Sequence, residues 1–155
     1  MRKKLALLTA AALVASVVVA AFVMSTPATA ATTLTVIEHA ASDHVTDVGK
    51  TGLGPGDLLT FHNRIYDSTD TTQVGTDQGF CIRITKLSNK KGSWECEWTT
   101  FLESGASSIT VESPFNDTGL GVGAITGGTG TYVGASGSLG LSCTETECTF
   151  VFNLA

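Results

Sequence analysis

The stretch Ala124-Ile-Thr-Gly-Gly-Thr-Gly-Thr-Tyr-Val-Gly-Ala-Ser-Gly-Ser-Leu-Gly-Leu141 is the most informative part of this sequence. More than half of the chain's 17 glycines lie between Gly119 and Gly140. The pattern predicts a short strand, a tight turn at residues 127–130 and a long strand over residues 131–142. Because glycine weakens a strand unless the backbone bends or another surface comes close, the stretch indicates a tightly curved sheet.

A nucleotide-binding loop is the functional alternative for so many glycines. The segment from Gly119 to Ala124 does fit the loose pattern G-x-G-x-x-A. A phosphate-binding loop also needs a following helix, and a P-loop needs a lysine. No Lys or Arg occurs after Lys91, and no helical period follows the glycines. The glycines are therefore interpreted as turn and curvature residues.

The first 30 residues have the three parts of a secretory signal. Arg2, Lys3 and Lys4 precede an apolar run over residues 5–23, and the small-residue box Ala28-Thr-Ala30 follows. A retained membrane anchor is the competing interpretation, since the run is almost long enough to span a bilayer. The small residues and Pro27 favour cleavage after Ala30. We expect a signal peptide over residues 1–30 and a secreted, extracellular protein.

The remaining residues, 31–155, are enough for one domain with a single core. Without the signal, six basic residues stand against 14 acidic ones, a net charge of about −8. No basic cluster is present, so nucleic acid and anionic membrane surfaces are poor partners. We expect no association with a membrane after removal of the signal.

Four cysteines in the exported part predict two disulfides. Two runs of strand-forming residues flank the polar turn at residues 88–92, and a hairpin there sets Cys81 opposite Cys96. A second, shorter hairpin brings Cys143 to Cys148. Export favours these bridges over a metal site, so no metal is expected.

Runs of β-branched and aromatic residues recur between turn residues, and no segment keeps a helical period. Eight strands are predicted, at residues 33–39, 57–66, 76–87, 93–102, 107–112, 122–126, 131–142 and 148–154. The fold class is therefore all-β, a small barrel or a sandwich, and the short connections favour a meandering antiparallel barrel. A barrel of eight strands has room for one small ligand.

Several motifs resemble the allene oxide cyclase and dirigent superfamily. They are Gly56-Asp-Leu-Leu-Thr-Phe-His-Asn-Arg-Ile-Tyr-Asp67, Gly79-Phe-Cys81, and the Gly-Gly-Thr-Gly turn with Tyr132-Val-Gly-Ala-Ser-Gly137. The resemblance spans nearly all of residues 31–155 and is closest to short bacterial dirigent-like proteins. It implies an eight-stranded lipocalin-like barrel, trimeric in plant members, that acts on small molecules without a cofactor.

The resemblance also implies site residues. Glu38 matches the pocket glutamate of the cyclases, Asn63 their asparagine on the second strand and Cys81 their cysteine on the third. The family's second early asparagine falls on Ala40, its pocket proline has no counterpart, and its tyrosine falls on Phe115. Glu38 and Asn63 are therefore the catalytic candidates.

Strand alternation adds candidates that do not depend on the family. Leu59, Phe61, Asn63 and Ile65 share one face of the second predicted strand, and Trp94, Cys96, Trp98 and Thr100 share one face of the fourth. Arg83 lies on the Cys81 side of its strand and needs a partner, for which Glu38 is the expected residue; the alternative is that Arg83 reaches water at a barrel mouth. The ligand-binding candidates are Phe61, Arg83, Trp98 and Phe115, and the alternative for the tryptophans is core filling.

The opposite face of the third predicted strand carries Phe80, Ile82 and Ile84. In a monomeric barrel these groups would meet water, so they indicate a subunit interface, in line with a homotrimer.

The leading hypothesis is a secreted barrel that binds a small apolar, phenolic or lipid-derived molecule. It would steer cyclisation, isomerisation or stereoselective coupling, with no cofactor. The alternative is a non-catalytic extracellular or envelope-associated protein whose barrel is filled by Phe61, Trp94, Trp98 and Leu139. An internal pocket with Glu38 and Asn63 on its wall distinguishes the two.

Overall fold

The structure, a computed structural model, describes residues 31–87 and 91–155. Within these ranges the chain forms nine strands and two single-turn 3-10 helices, Glu103–Gly105 and Gly130–Tyr132. The strands are β1 (Thr32–His39), β2 (Asp43–Thr46), β3 (Leu58–Tyr66), β4 (Gln73–Leu87), β5 (Lys91–Leu102), β6 (Ser107–Asn116), β7 (Leu120–Thr129), β8 (Gly137–Cys143) and β9 (Glu147–Leu154). No helix among the described residues is long and apolar enough to cross a membrane. The predicted signal peptide lies outside the described residues.

The strands close into an eight-stranded antiparallel barrel, as predicted. Each strand from β3 to β9 pairs with the next, β9 pairs with β1, and β1 closes the ring on the end of β3. The short strand β2 pairs with the beginning of β3. Because β1 and β2 pair with different parts of the same edge of β3, the two strands together occupy one of the eight strand positions in the barrel. The sequence analysis did not predict β2.

The glycine-rich stretch differs from its prediction in one part. Residues 127–129 belong to β7, so the turn predicted at residues 127–130 begins only at Gly130. Of the strand predicted over residues 131–142, the part before Gly137 is wrong. The backbone there takes positive φ angles, +59° at Gly130 and +74° at Gly134, which a strand does not adopt. The strand begins only at Gly137. The glycines thus provide a compact turn as well as curvature.

The inward-facing side chains of the strands fill one end of the barrel and pack less densely at the other end. Ile65, Ile109, Leu139 and Phe152 are completely buried and pack with Val36 and Val111 at the filled end. On the outer surface of β4, Phe80, Ile82 and Ile84 are 40–50% exposed. The inward and outward faces predicted for β3, β4 and β5 are confirmed.

The connection between β2 and β3 is held by the buried carboxylate of Asp57. Its Oδ1 accepts a hydrogen bond from the backbone N–H of Val48 at 2.8 Å, and its Oδ2 accepts one from Gly54 at 2.6 Å. These two bonds hold the pKa of Asp57 below its ordinary value. The side chain therefore organises a loop that has few apolar contacts of its own.

Replacing Asp57 with alanine should release this loop. The amide hydrogens of Val48 and Gly54 lose their acceptor, and we expect their exchange with solvent to accelerate about tenfold or more. Hydrogen exchange followed by mass spectrometry or NMR measures this. Asp47→Asn, which changes an exposed acceptor for Gly52, is the control and should leave both amides protected. Unchanged exchange in Asp57→Ala would show that the loop does not depend on Asp57.

Because the pKa of Asp57 is lowered, the protection of these two amides should persist at neutral pH and be lost only as the pH falls below about 4.

Candidate functional site

The less densely packed end of the barrel contains a cavity of about 240 Å³. Its apolar wall is formed by aromatic and aliphatic side chains from five strands, namely Leu59, Phe61, Trp98, Phe115, Leu141 and Phe150. The turn between β8 and β9 and the bend after β1 form its rim. A volume of this size accommodates a small organic molecule.

Both predicted disulfides are present and border this cavity. Cys81 on β4 lies directly opposite Cys96 on β5, and Cys143 on β8 lies opposite Cys148 on β9, so each pair bonds across a strand pair. The predicted pairings are therefore confirmed. The bridges cross-link two walls of the cavity, and no cysteine among the described residues is free.

Glu38 and Asn63 lie together at the cavity wall. Asn63 Nδ2 donates to Glu38 Oε1 at 2.8 Å and to Asp43 Oδ1 at 2.9 Å. Asn63 Oδ1 accepts from the backbone N–H groups of Ala41 and Ser42, at 2.7 and 3.0 Å. All polar atoms of the Asn63 amide are thus occupied by the protein, and the residue holds the bend between β1 and β2 against β3.

Behind this pair lies Asp77, a residue that the sequence analysis missed. Asp77 is completely buried on β4, and its Oδ1 accepts a hydrogen bond from the backbone N–H of Asn63 at 3.2 Å. Burial and the neighbouring Glu38 carboxylate raise the pKa of Asp77 to about 8. Burial likewise raises the pKa of Glu38. The two carboxyls therefore share one proton at neutral pH, and the raised pKa of Asp77 assigns that proton to Asp77.

The position of Asp77 was readable from the sequence. Residues 77, 79 and 81 alternate along one strand, so Asp77 shares the inward face of Cys81. A second missed pair of carboxylates, Glu145 and Glu147, borders the rim from the β8–β9 turn. Turn residues carry no period that would have placed them.

Arg83 is buried, as an inward residue, but the predicted pair with Glu38 is wrong. Both terminal nitrogens of Arg83 donate to the carboxylate of Asp117, and the guanidinium lies 4.8 Å from the centroid of the Trp94 ring. Arg83 does not reach water at a mouth either, because only 3% of it is exposed. Asp117 lies in the turn after β6. The pairing of β5 with β6 places this turn beside the beginning of β5, where the backbone N–H of Asp117 donates to the carbonyl oxygen of Gly92. Arg83 is not among the residues that line the cavity.

The other ligand-binding candidates lie at the cavity, Phe61 and Trp98 as the strand alternation predicts and Phe115 at the position that the family resemblance implied. Phe61, Trp98 and Phe115 all line the cavity. Trp94 does not, since its ring is covered by Arg83 and its Nε1–H donates to Asp117 at 3.2 Å. The two tryptophans of β5 therefore differ in their surroundings, although they are two residues apart.

One group of side chains in the described part of the chain could hold a metal ion. It consists of His39, Asp70 and Glu147, whose ligand atoms lie within 4.8 Å of one another at the outer rim. His39 Nε2 lies 2.6 Å from Asp70 Oδ1 and 3.8 Å from Glu147 Oε1, and its ring stacks on Tyr66. As it stands, the group is a partly exposed ion-pair cluster.

Comparison with known proteins places this geometry in a family. The family model described as allene oxide cyclase matches residues 35–152. A structure of a pyocyanin demethylase is similar over 80% of this chain and 100% of its own, with 31% identity and a TM-score of 0.68. The pterocarpan synthase dirigent protein PsPTS1 (18% identity, 81% of this chain and 96% of that one, TM-score 0.62) shares the fold. So does the exo-specific intermolecular Diels-Alderase AbnU (15% identity, 81% and 98%, TM-score 0.61). The chain spans most of the length of each. It therefore belongs to the allene oxide cyclase family.

Proposed function

We propose that this protein binds a small, largely apolar molecule in the barrel cavity and steers its cyclisation, isomerisation or stereoselective coupling. The observation that carries the proposal is the cavity itself, in which a buried carboxyl group, Glu38, is set among apolar walls. Apolar walls hold a ligand in one conformation, while a few polar groups orient it. The filled-barrel alternative is not favoured, because Phe61 and Trp98 border open space; Leu139 fills only the opposite end.

Glu38 is the group we assign to proton transfer or charge stabilisation. Burial raises the pKa of this carboxyl, as suits a general acid or base, and Asp77 behind it can supply or take back a proton. A protonated Glu38 would donate to a ligand oxygen, and an ionised one would stabilise developing positive charge. Asn63 is a positioning residue, since its amide fixes Glu38. The proposal requires no cofactor.

The similar proteins support a small-molecule substrate. Their names describe a pyocyanin demethylase, a pterocarpan synthase dirigent protein and an intermolecular Diels-Alderase. In this chain, Phe61, Trp98, Phe115 and Phe150 offer surfaces on which an aromatic ligand could stack.

Glu38→Gln should separate chemistry from binding. We expect the rate with an accepted substrate to fall about 100-fold, because the proton-transferring group is lost while the shape of the cavity is kept. Binding of the same compound should change only a few-fold. Phenolic, lipid-derived and heteroaromatic compounds that cyclise or couple spontaneously are screened first by tryptophan fluorescence, and then by chiral chromatography of the products.

The matched control is Glu97→Gln, on the outer face of β5, which should leave rate and binding unchanged. Binding without any change in rate or product stereochemistry would favour the non-catalytic alternative. No binding by any compound in the screen would contradict the proposal.

We further propose that the protein is exported and assembles as a homotrimer. Both disulfides need an oxidising compartment to persist, in line with the predicted signal. Assembly would cover Phe80, Ile82 and Ile84, which form a row of exposed apolar side chains along β4.

Ile82→Lys combined with Ile84→Lys should therefore convert the trimer to a monomer, with a threefold fall in molar mass by light scattering. A charge placed in an apolar interface loses its hydration, whereas in a monomer it would be harmless. Val122→Lys is the control, since Val122 is 72% exposed on a different strand, and it should leave the mass unchanged. A wild-type protein that is monomeric at micromolar concentration would contradict the assembly.

A further inference from the structure

The charged side chains that border the cavity are all acidic. They are Glu38 and Asp43 at the bend after β1, and Glu145 and Glu147 from the β8–β9 turn. No Lys, Arg or His occurs among the described lining residues. Because Glu38 shares one proton with Asp77, that pair still keeps one negative charge at neutral pH. The site therefore presents a negative field to a ligand.

The basic side chains described near this site do not cancel the field. Arg83 is engaged by both carboxylate oxygens of Asp117 and lies outside the lining. His39 faces two carboxylates, Asp70 at 2.6 Å and Glu147 at 3.8 Å, so the rim cluster stays acidic even when His39 is protonated. A ligand that enters the cavity therefore meets carboxylates whose negative charge no described basic side chain of the lining neutralises.

Below the rim, the walls are aromatic. Phe61, Trp98, Phe115 and Phe150 surround the space, with Trp98 and Phe150 5.7 Å apart between ring centroids. Aromatic faces attract cations, and a cation with delocalised charge is desolvated more easily than a small ammonium ion. The carboxylates at the rim and the aromatic rings below them therefore both favour a cationic ligand.

We propose that the ligand is a flat, apolar cation, a nitrogen heteroaromatic that carries a positive charge. This inference rests on the proposed function and narrows its substrate class. Lipid-derived carboxylates, which the sequence analysis left open, are disfavoured, because a ligand anion would approach Glu38, Asp43 and Glu147. An opposite charge a few ångströms away in a partly buried site favours the cation over its neutral analogue by about tenfold or more.

Three probes of similar ring size test this at pH 7.5: N-methylquinolinium, neutral quinoline and quinoline-4-carboxylate. Tryptophan fluorescence quenching and calorimetry measure binding. We expect N-methylquinolinium to bind at least about tenfold more tightly than quinoline, and quinoline-4-carboxylate to bind most weakly. The preference should shrink at 1 M NaCl, because the rim charges are exposed. Since a nearby cation favours loss of the proton that Asp77 and Glu38 share, its binding should also release protons, seen as a dependence of the enthalpy on the buffer.

The rim variant Asp43→Asn/Glu145→Gln/Glu147→Gln should lose most of the preference for the cation and keep the affinity for quinoline. The control Glu95→Gln/Glu97→Gln/Glu112→Gln removes the same charge from exposed positions outside the cavity and should keep the preference. If quinoline binds as tightly as the cation, the charge inference is overturned while the proposed pocket stands. If no probe binds, the proposed pocket and this inference are overturned together.

Discussion

Asp117→Ala should lower the free energy of unfolding by about 3–5 kcal/mol. The change leaves the Arg83 guanidinium buried without its partner, and arginine cannot lose its charge. The guanidinium fits beside Gly92 because this residue has no side chain. A Cβ at this position would collide with the Arg83 guanidinium and with the Thr85 carbonyl oxygen. Chemical denaturation measures the loss.

The double variant Arg83→Met/Asp117→Leu should recover much of this loss, because it removes both charges and retains apolar volume. Asp70→Ala is the control: it breaks the partly exposed pair with His39 and should cost no more than about 1 kcal/mol. A loss of that size in Asp117→Ala would show that the buried pair contributes no more than a surface pair.

Asp77→Asn should make the protein more stable than the wild type at pH 8, because each unit by which folding raises a pKa costs about 1.4 kcal/mol once the acid is ionised in the unfolded state. An acid whose pKa is raised on folding contributes stability that is present below its unfolded value and lost as the pH rises through the folded one. For Asp77 the window runs from 3.8 to about 8. The wild type should therefore lose stability between pH 5 and pH 8. An asparagine imitates the protonated acid, since it can accept from Asn63 and donate to Glu38.

Denaturation at several pH values checks this, and the slope should become shallower in Asp77→Asn, with the remainder contributed by Glu38, whose pKa burial also raises. Above pH 5 the carboxylates with lowered pKa values, among them Asp57 and Asp67, are ionised in both states and contribute no slope. Glu97→Gln should retain the wild-type slope. A wild type whose stability does not fall toward pH 8 would show that Glu38 and Asp77 do not share a proton.

Much of the barrel could be predicted from the sequence, because its determinants are local. A period of two residues specifies which side chains face inward, and this placed Phe61, Trp98 and Cys96 correctly. Hairpins join neighbours in the chain, so Cys81–Cys96 and Cys143–Cys148 followed from the turns between them. Eight of the nine strands in the described residues followed from the spacing of turn residues, and the short strand β2 did not.

The partners of charged groups could not be predicted in this way. Arg83 was known to face inward, yet its partner was misassigned to Glu38, because Asp117 lies in a turn whose position depends on the register of β5 and β6. The bond between Asn63 and Glu38 likewise depends on how β1 closes against β3.

The glycine-rich stretch shows the same division. Its composition determined that the chain turns and curves there, since glycine alone adopts the required positive φ angles at little cost. Where β7 ends and β8 begins was decided by pairing with β6 and β9, partners distant in the sequence. The sequence by itself determined a disulfide-bonded β-barrel with a defined inner face. Only the tertiary structure decided that this face holds an open acidic cavity, because a cavity and a shared proton arise from strands that meet across the barrel.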